Sequence, residues 1–151
     1  QVVTGNYGME IEAKSINNAF GPKVSNITLT RAAGTVTEGG SSANEFDAIQ
    51  FKKEGNGEYT NVVISGYTTS NTTLTATAVR IQDKSTNDNQ VNGGKIKMLN
   101  VKINDGTSQF AGVGTTFTVD FKGNYTTSTT ATGATLTAGA WAIVDGVSLI
   151  K

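Results

Sequence analysis

The chain has 151 residues, with twelve basic residues balanced by twelve acidic ones, so no net field draws it to nucleic acid or to a membrane surface. It has no cysteine and no histidine, which excludes disulfides, thiolate metal sites and every triad built on a histidine base. Eighteen glycines, a single proline and abundant Thr and Asn describe one β-rich domain with many turns, and no apolar run approaches the length of a membrane-spanning helix.

Residues 1–6 are polar, and Gln1-Val2-Val3 reads as an edge strand or as the continuation of something upstream. Gly8-Met9-Glu10-Ile11-Glu12-Ala13-Lys14 is the first of three related runs, each closed by lysine; the others are Ala48-Ile49-Gln50-Phe51-Lys52-Lys53 and Ala78-Val79-Arg80-Ile81-Gln82-Asp83-Lys84. Each places two apolar residues two positions apart, with polar residues between them, as in a strand that buries one face. A second strand run opening on asparagine follows each copy: Asn26-Ile27-Thr28-Leu29, Asn61-Val62-Val63-Ile64 and Asn100-Val101-Lys102-Ile103. Two strand motifs in the same order three times form an internal repeat of roughly 30 to 40 residues, the period range of solenoids.

Between these runs, Gly21-Pro22 and Glu54-Gly55-Asn56-Gly57 are turn signals, and 35–37 holds at most one short strand. Residues 84–94 make the most polar loop. In 95–104 the alternation changes phase at Leu99-Asn100, the mark of a bulge or sharp bend. Phe117–Phe121 alternates as a strand, Ala134–Thr137 is a further short candidate, and the chain closes on two short strands around Asp145-Gly146. No stretch has helical periodicity.

Two all-β folds fit: a sandwich of hairpins, or a right-handed parallel β-helix with a C-terminal cap. Repeated motifs and long, uneven connections favour the β-helix, in which an asparagine tolerates the left-handed bend between sheets and stacks on its equivalents. Residues 1–105 are then β-helix coils continuing upstream of residue 1, and 106–151 the last coil and cap, with Trp141 anchoring the cap core. An uncovered first coil invites association with the upstream part of the same polypeptide or with another protein chain.

At Asn26-Ile27-Thr28-Leu29, Asp47-Ala48-Ile49-Gln50-Phe51, Asn61-Val62-Val63-Ile64-Ser65-Gly66 and Ala78-Val79-Arg80-Ile81 the sequence resembles the right-handed parallel β-helix (pectate-lyase-like) superfamily, in particular the C-terminal coils of large secreted bacterial β-helix proteins. The resemblance covers roughly residues 5–105 and rests on strand rhythm. It implies an extracellular or cell-surface setting. Enzymes of this fold use clustered aspartates for calcium and a basic residue as base; the matching strand offers Arg80 but no aspartate cluster, so the activity is not carried over.

Stacked coils would project Glu10, Glu12, Gln50, Lys52, Arg80 and Gln82 outward as a strip of mixed charge. Such a strip suits the hydroxyl and carboxylate groups of an extended polysaccharide. Alternatively, opposite charges on neighbouring coils pair with each other. No cofactor is required. Asn87-Asp88-Asn89 and Asp105 offer oxygen ligands for calcium, but the spacing of a calcium-binding loop is missing and loop solvation is the stronger reading. The expected function is a non-catalytic structural or adhesive surface module that binds glycan or protein; the alternative is part of a polysaccharide lyase or hydrolase whose active site lies outside this chain.

Overall fold

The structure, a computed structural model, describes residues 7–13, 21–31, 45–67, 75–104, 108–112, 117–135, 143–144 and 147–148. Among the described residues eight strands fall into two four-stranded sheets. Sheet A holds β1 (Tyr7–Glu12), β3 (Glu45–Lys52), β5 (Thr75–Ile81) and β7 (Ser108–Gly112). Sheet B holds β2 (Lys23–Thr30), β4 (Gly57–Ser65), β6 (Ile96–Ile103) and β8 (Tyr125–Thr127). Successive strands alternate between the sheets, and every pairing within each sheet is parallel. A sandwich of hairpins is therefore not what forms. The strands stack in four levels: β1 and β2, β3 and β4, β5 and β6, β7 and β8. Two further short strands, β9 (Ile143–Val144) and β10 (Val147–Ser148), pair antiparallel with each other.

The repeat copies stack in register: Met9 on Ile49 on Val79, and Ile11 on Phe51 on Ile81. These ladders fill the space between the sheets. Across it Phe51 meets Tyr59 edge-on, the ring centroids 5.5 Å apart, a geometry that aligns ring edge with ring face. Burial pushes the Tyr59 phenol up to about 12. Exposure falls from the first level inward. Met9, Ile11, Val24 and Leu29 are only half-buried, while their stacking partners Ile49, Phe51, Tyr59 and Ile64 are buried. Burial of each such side chain contributes on the order of 2 kcal/mol.

Three of the sheet B strands, β2, β4 and β6, turn at an asparagine. Asn26, Asn61 and Asn100 have φ of 59°, 57° and 59°, in the left-handed region that asparagine tolerates better than other residues with a Cβ. The pairing skips all three. This bend is the phase change visible at Leu99-Asn100. It lets Tyr59 and Val62 both face inward although strict alternation would separate them. The Asn61 side-chain amide donates to Asn26 Oδ1 at 2.7 Å, one rung of an asparagine ladder.

Asn61 also ties down a later segment. Its Oδ1 accepts from the backbone N–H of Thr132 (2.9 Å) and Gly133 (3.3 Å), and its amide donates to Thr132 Oγ1 (3.1 Å). Further along, Ala134 N–H donates to Thr28 Oγ1 at 2.9 Å. Earlier, Ser128 N–H donates to the Val101 carbonyl at 2.8 Å. Residues 128–134 thus run from the third level past the second to the first as a strap across sheet B. Gly133 allows the closest approach: its φ is +67°, and a Cβ there would lie 2.2 Å from Thr28 Oγ1. Asn61→Gly should keep the bend and lose the strap, costing roughly 1–2 kcal/mol. Asn61→Ala should cost about 1 kcal/mol more, because alanine is strained at this φ. Urea titrations of the two variants beside the parent measure both steps, and equal costs would separate the strap from the bend.

Three sequence expectations are corrected. The 84–94 loop is helical: α1 (Lys84–Thr86) continues into a π-helical turn at Asn87–Val91. Asp83 starts it as a cap, accepting from Thr86 N–H (2.8 Å), Ser85 Oγ (2.7 Å) and Thr86 Oγ1 (3.0 Å), and it also accepts from Lys53 N–H (2.8 Å). Phe117–Phe121 is not a strand, although Val119 and Phe121 are buried. Ala134 and Thr135 form none either; residues 35–37, 105, 136–137, 141 and 145–146 lie outside the described residues.

Partial burial works to raise the Asp83 pKa, but the donors from Thr86, Ser85 and Lys53 outweigh it and hold the carboxyl below its ordinary value of 3.8. A depressed pKa contributes stability that is complete above the unfolded value and lost as pH falls through the folded one. The turn at 84–91 should therefore loosen below about pH 3.8. Asp83→Ala should remove this acid-dependent step and cost about 1 kcal/mol at neutral pH. Hydrogen exchange at Thr86 and Asn87 against pH measures it; an unchanged acid profile in the variant would assign the loosening to another group.

Candidate functional site

The six residues expected to form an outward strip divide into two groups. Register places Glu10 beside Gln50 beside Arg80, and Glu12 beside Lys52. At the first level the side chains are open to solvent and pair across strands. Lys52 Nζ lies 2.8 Å from Glu10 Oε1 and 3.6 Å from Glu12 Oε2, and Lys53 Nζ lies 2.7 Å from Glu12 Oε1. The hydrogen bond from Lys53, aided by Lys52, lowers the Glu12 pKa, and the hydrogen bond to Glu10 raises that of Lys52. Neighbouring opposite charges thus satisfy one another. Gln82 is half-buried, and its N–H donates to the Phe51 carbonyl at 2.9 Å.

The exposed strip is broken at Gln50 (0% exposed) and Arg80 (3%), which are buried. They converge on buried Asp47: Arg80 Nε lies 2.6 Å from Oδ2, Gln50 Nε2 donates to Oδ2 at 3.4 Å, and the Thr77 hydroxyl donates to Oδ1. The pairing of sheet A skips Gly8, Ala48 and Ala78, and around this irregularity Asp47 comes within reach of Gln50, three residues on. Ala48, Ile49, Gln50 and Phe51 are all fully buried, so β3 is covered on both faces, as parallel strands usually are. A guanidinium is always charged and a lone buried carboxylate is costly, so the two stabilise each other in the sheet interior.

A second buried polar cluster occupies the turn after β3. Lys53 and Glu54 are both left-handed, with φ of 46° and 66°. The turn carries the Glu54 carboxylate inward, where Gln90 Nε2 donates to Oε2 (2.6 Å) and Asn89 Nδ2 to Oε1 (3.0 Å). Thr86 Oγ1 accepts from Glu54 N–H (2.9 Å), and Asn56 Nδ2 donates to Gln90 Oε1 (2.8 Å). The helical turn thereby docks on the turn beside it. Of the residues considered for calcium, Asn87 points inward to the Thr118 carbonyl (3.2 Å), Asn89 is bound to Glu54, and Asp88 pairs with Lys84. Among the described residues no cluster of three or more acidic side chains forms a cation site.

Sequence reading missed an open concavity with concentrated charge. A groove of about 240 Å³ crosses the starts of β2, β4 and β6, with Gly21, Gly57 and Gly94 along its floor. Lys23, Glu58 and Lys97 stand in register on its wall, and Lys95 adds a third cation. Lys97 Nζ lies 3.4 Å from Glu58 Oε2, whereas Lys23 and Lys95 make no ion pair among the described residues. Gly21 is required where it stands, since a Cβ there would lie 2.1 Å from Asn56 Oδ1, and Gly57 has a φ of +140°. The floor therefore rests on the buried Asn56–Gln90–Glu54 network. The signal lay in lysines beginning the second strand of successive repeats, legible only once the register is known.

An all-β chain with two parallel sheets is what fold and site together define. No family model, curated protein or solved structure matches it. No helix among the described residues is long and apolar enough to cross a membrane.

Proposed function

We propose that the chain is a stretch of right-handed parallel β-helix, of the pectate-lyase-like kind, serving as a non-catalytic structural or adhesive module outside the cell or at its surface. The winding is supported by strands that alternate between two parallel sheets in chain order and by left-handed asparagines at the same point of three levels. One observation carries the functional part. The buried polar chemistry binds other parts of the same chain: Asp47 with Arg80 and Thr77, and Glu54 with Asn89 and Gln90. These bonds cross between successive levels, so these groups fix strand register and present no open reactive centre. A module of this kind displays its outer surface to a glycan or protein partner, and its first level, β1 and β2, is the end at which a further coil would add.

The test is release of new chain ends from a panel of neutral and acidic polysaccharides, with and without calcium. The expected result is none above a heat-denatured control. Scission by the purified chain would overturn the non-catalytic reading in favour of a polysaccharide lyase or hydrolase.

A further inference from the structure

We propose that the lysine groove at the starts of β2, β4 and β6 binds a linear polysaccharide carrying singly charged tetrahedral oxyanion esters. This rests on the adhesive reading above and names its ligand. The groove concentrates three of the chain's twelve basic residues against one carboxylate, in a molecule whose charges cancel overall. Lys23 and Lys97 are in register two strands apart, so their Cα atoms are about 10 Å apart along the stacking direction. Lys23 and Lys97 flank Glu58 along that direction, so the groove meets a ligand at more than one point, as suits a polymer with repeated charges.

The residue types narrow the ligand further. All three cations are lysines, compact point charges with rotatable donors, and none is the planar fork that matches a carboxylate. Phosphate- and sulfate-type oxyanions accept lysine as a point charge, whereas the bidentate clasp of arginine serves carboxylate and phosphate alike. Glu58 opposes a dianionic group, which favours the single charge of a sulfate monoester or a phosphodiester. No aromatic side chain lines the groove, so nothing there stacks the bases of a single-stranded nucleic acid. Two backbone N–H groups of the lining are occupied within the chain: Gly57 donates to the Lys95 carbonyl (3.1 Å) and Gly94 to that of Val91 (3.0 Å). Recognition therefore falls to the lysines.

The experiment is calorimetric titration of the full chain with dextran sulfate, a phosphodiester-linked mannan, polygalacturonate, neutral dextran and single-stranded DNA, at low and at physiological salt. Binding of dextran sulfate or of the phosphodiester-linked mannan, weakened by salt, is expected, and the tighter of the two identifies the ester. Lys23→Ala/Lys95→Ala should weaken it about tenfold. Lys84→Ala/Lys102→Ala, equal in charge but away from the groove lining, should change it less than about twofold. Circular dichroism of both doubles confirms the fold is kept. The proposal is overturned if the parent does not bind, if both doubles lose affinity equally, or if polygalacturonate or DNA binds as tightly as the two ester polymers. Its failure leaves the chain-end assay unchanged, so the two readings fail separately.

Discussion

Replacing Phe51 by alanine should cost about 3–5 kcal/mol, a large part of the stability of a domain this size. Phe51 is fully buried, stacks between Ile11 and Ile81 in sheet A, and meets the Tyr59 ring across the core. Truncation removes the contact between sheets and leaves a cavity at the second level. Backbone pairing on both sides prevents that cavity from collapsing. Ile11→Ala, in the same ladder but half-buried at the end of the sheet, should cost about half as much. Urea denaturation of both variants gives the comparison; equal costs would mean that the first level is as enclosed as the second.

The buried pair predicts the second large effect. Arg80→Met leaves the Asp47 carboxylate without its guanidinium partner in the sheet interior, and Asp47→Asn leaves the guanidinium without its carboxylate. Each should cost about 3–5 kcal/mol. The double variant should cost clearly less than the sum, because no uncompensated charge then remains buried. A double-mutant cycle by chemical denaturation measures this coupling. Additive losses, or single losses under about 1 kcal/mol, would show that the two charges do not depend on each other.

How far these features were legible depends on which physical signal the sequence carries. The ladders of Met9, Ile49 and Val79 were legible because a period of two, repeated three times, specifies both the strand and its parallel partners. The bend was legible because Asn26, Asn61 and Asn100 each open the second half of a strand where the phase of alternation changes. Alternation states which face a side chain takes, but not whether that face is covered. Gln50 and Arg80 were therefore assigned to solvent, although a parallel strand such as β3 is enclosed on both sides. Their partner, Asp47, lies 33 residues before Arg80, and that contact depends on register, not on local pattern. The helical turn at 84–91 is too short for a 3.6-residue period, and only Asp83 followed by Ser85 and Thr86 marked its start. Residues 128–134 carry no period at all, since their conformation is dictated by Asn61, about seventy residues away.

That strap changes the expected character of unfolding. In a stack where each level touches only its neighbours, stability is close to a sum of local terms, and the ends fray independently of the middle. Here one strand of chain bonds to Val101, Asn61 and Thr28 in turn, joining the third, second and first levels directly. The Ala134–Thr28 bond spans 106 residues of sequence. Such a tie makes the first level sense the state of the third, so opening should be shared along the stack instead of starting at one end. It also delays assembly, because the final fastening waits until most of the chain is in place and closes a loop of more than a hundred residues. The molecule is built like a modular array but fastened like a single cooperative unit.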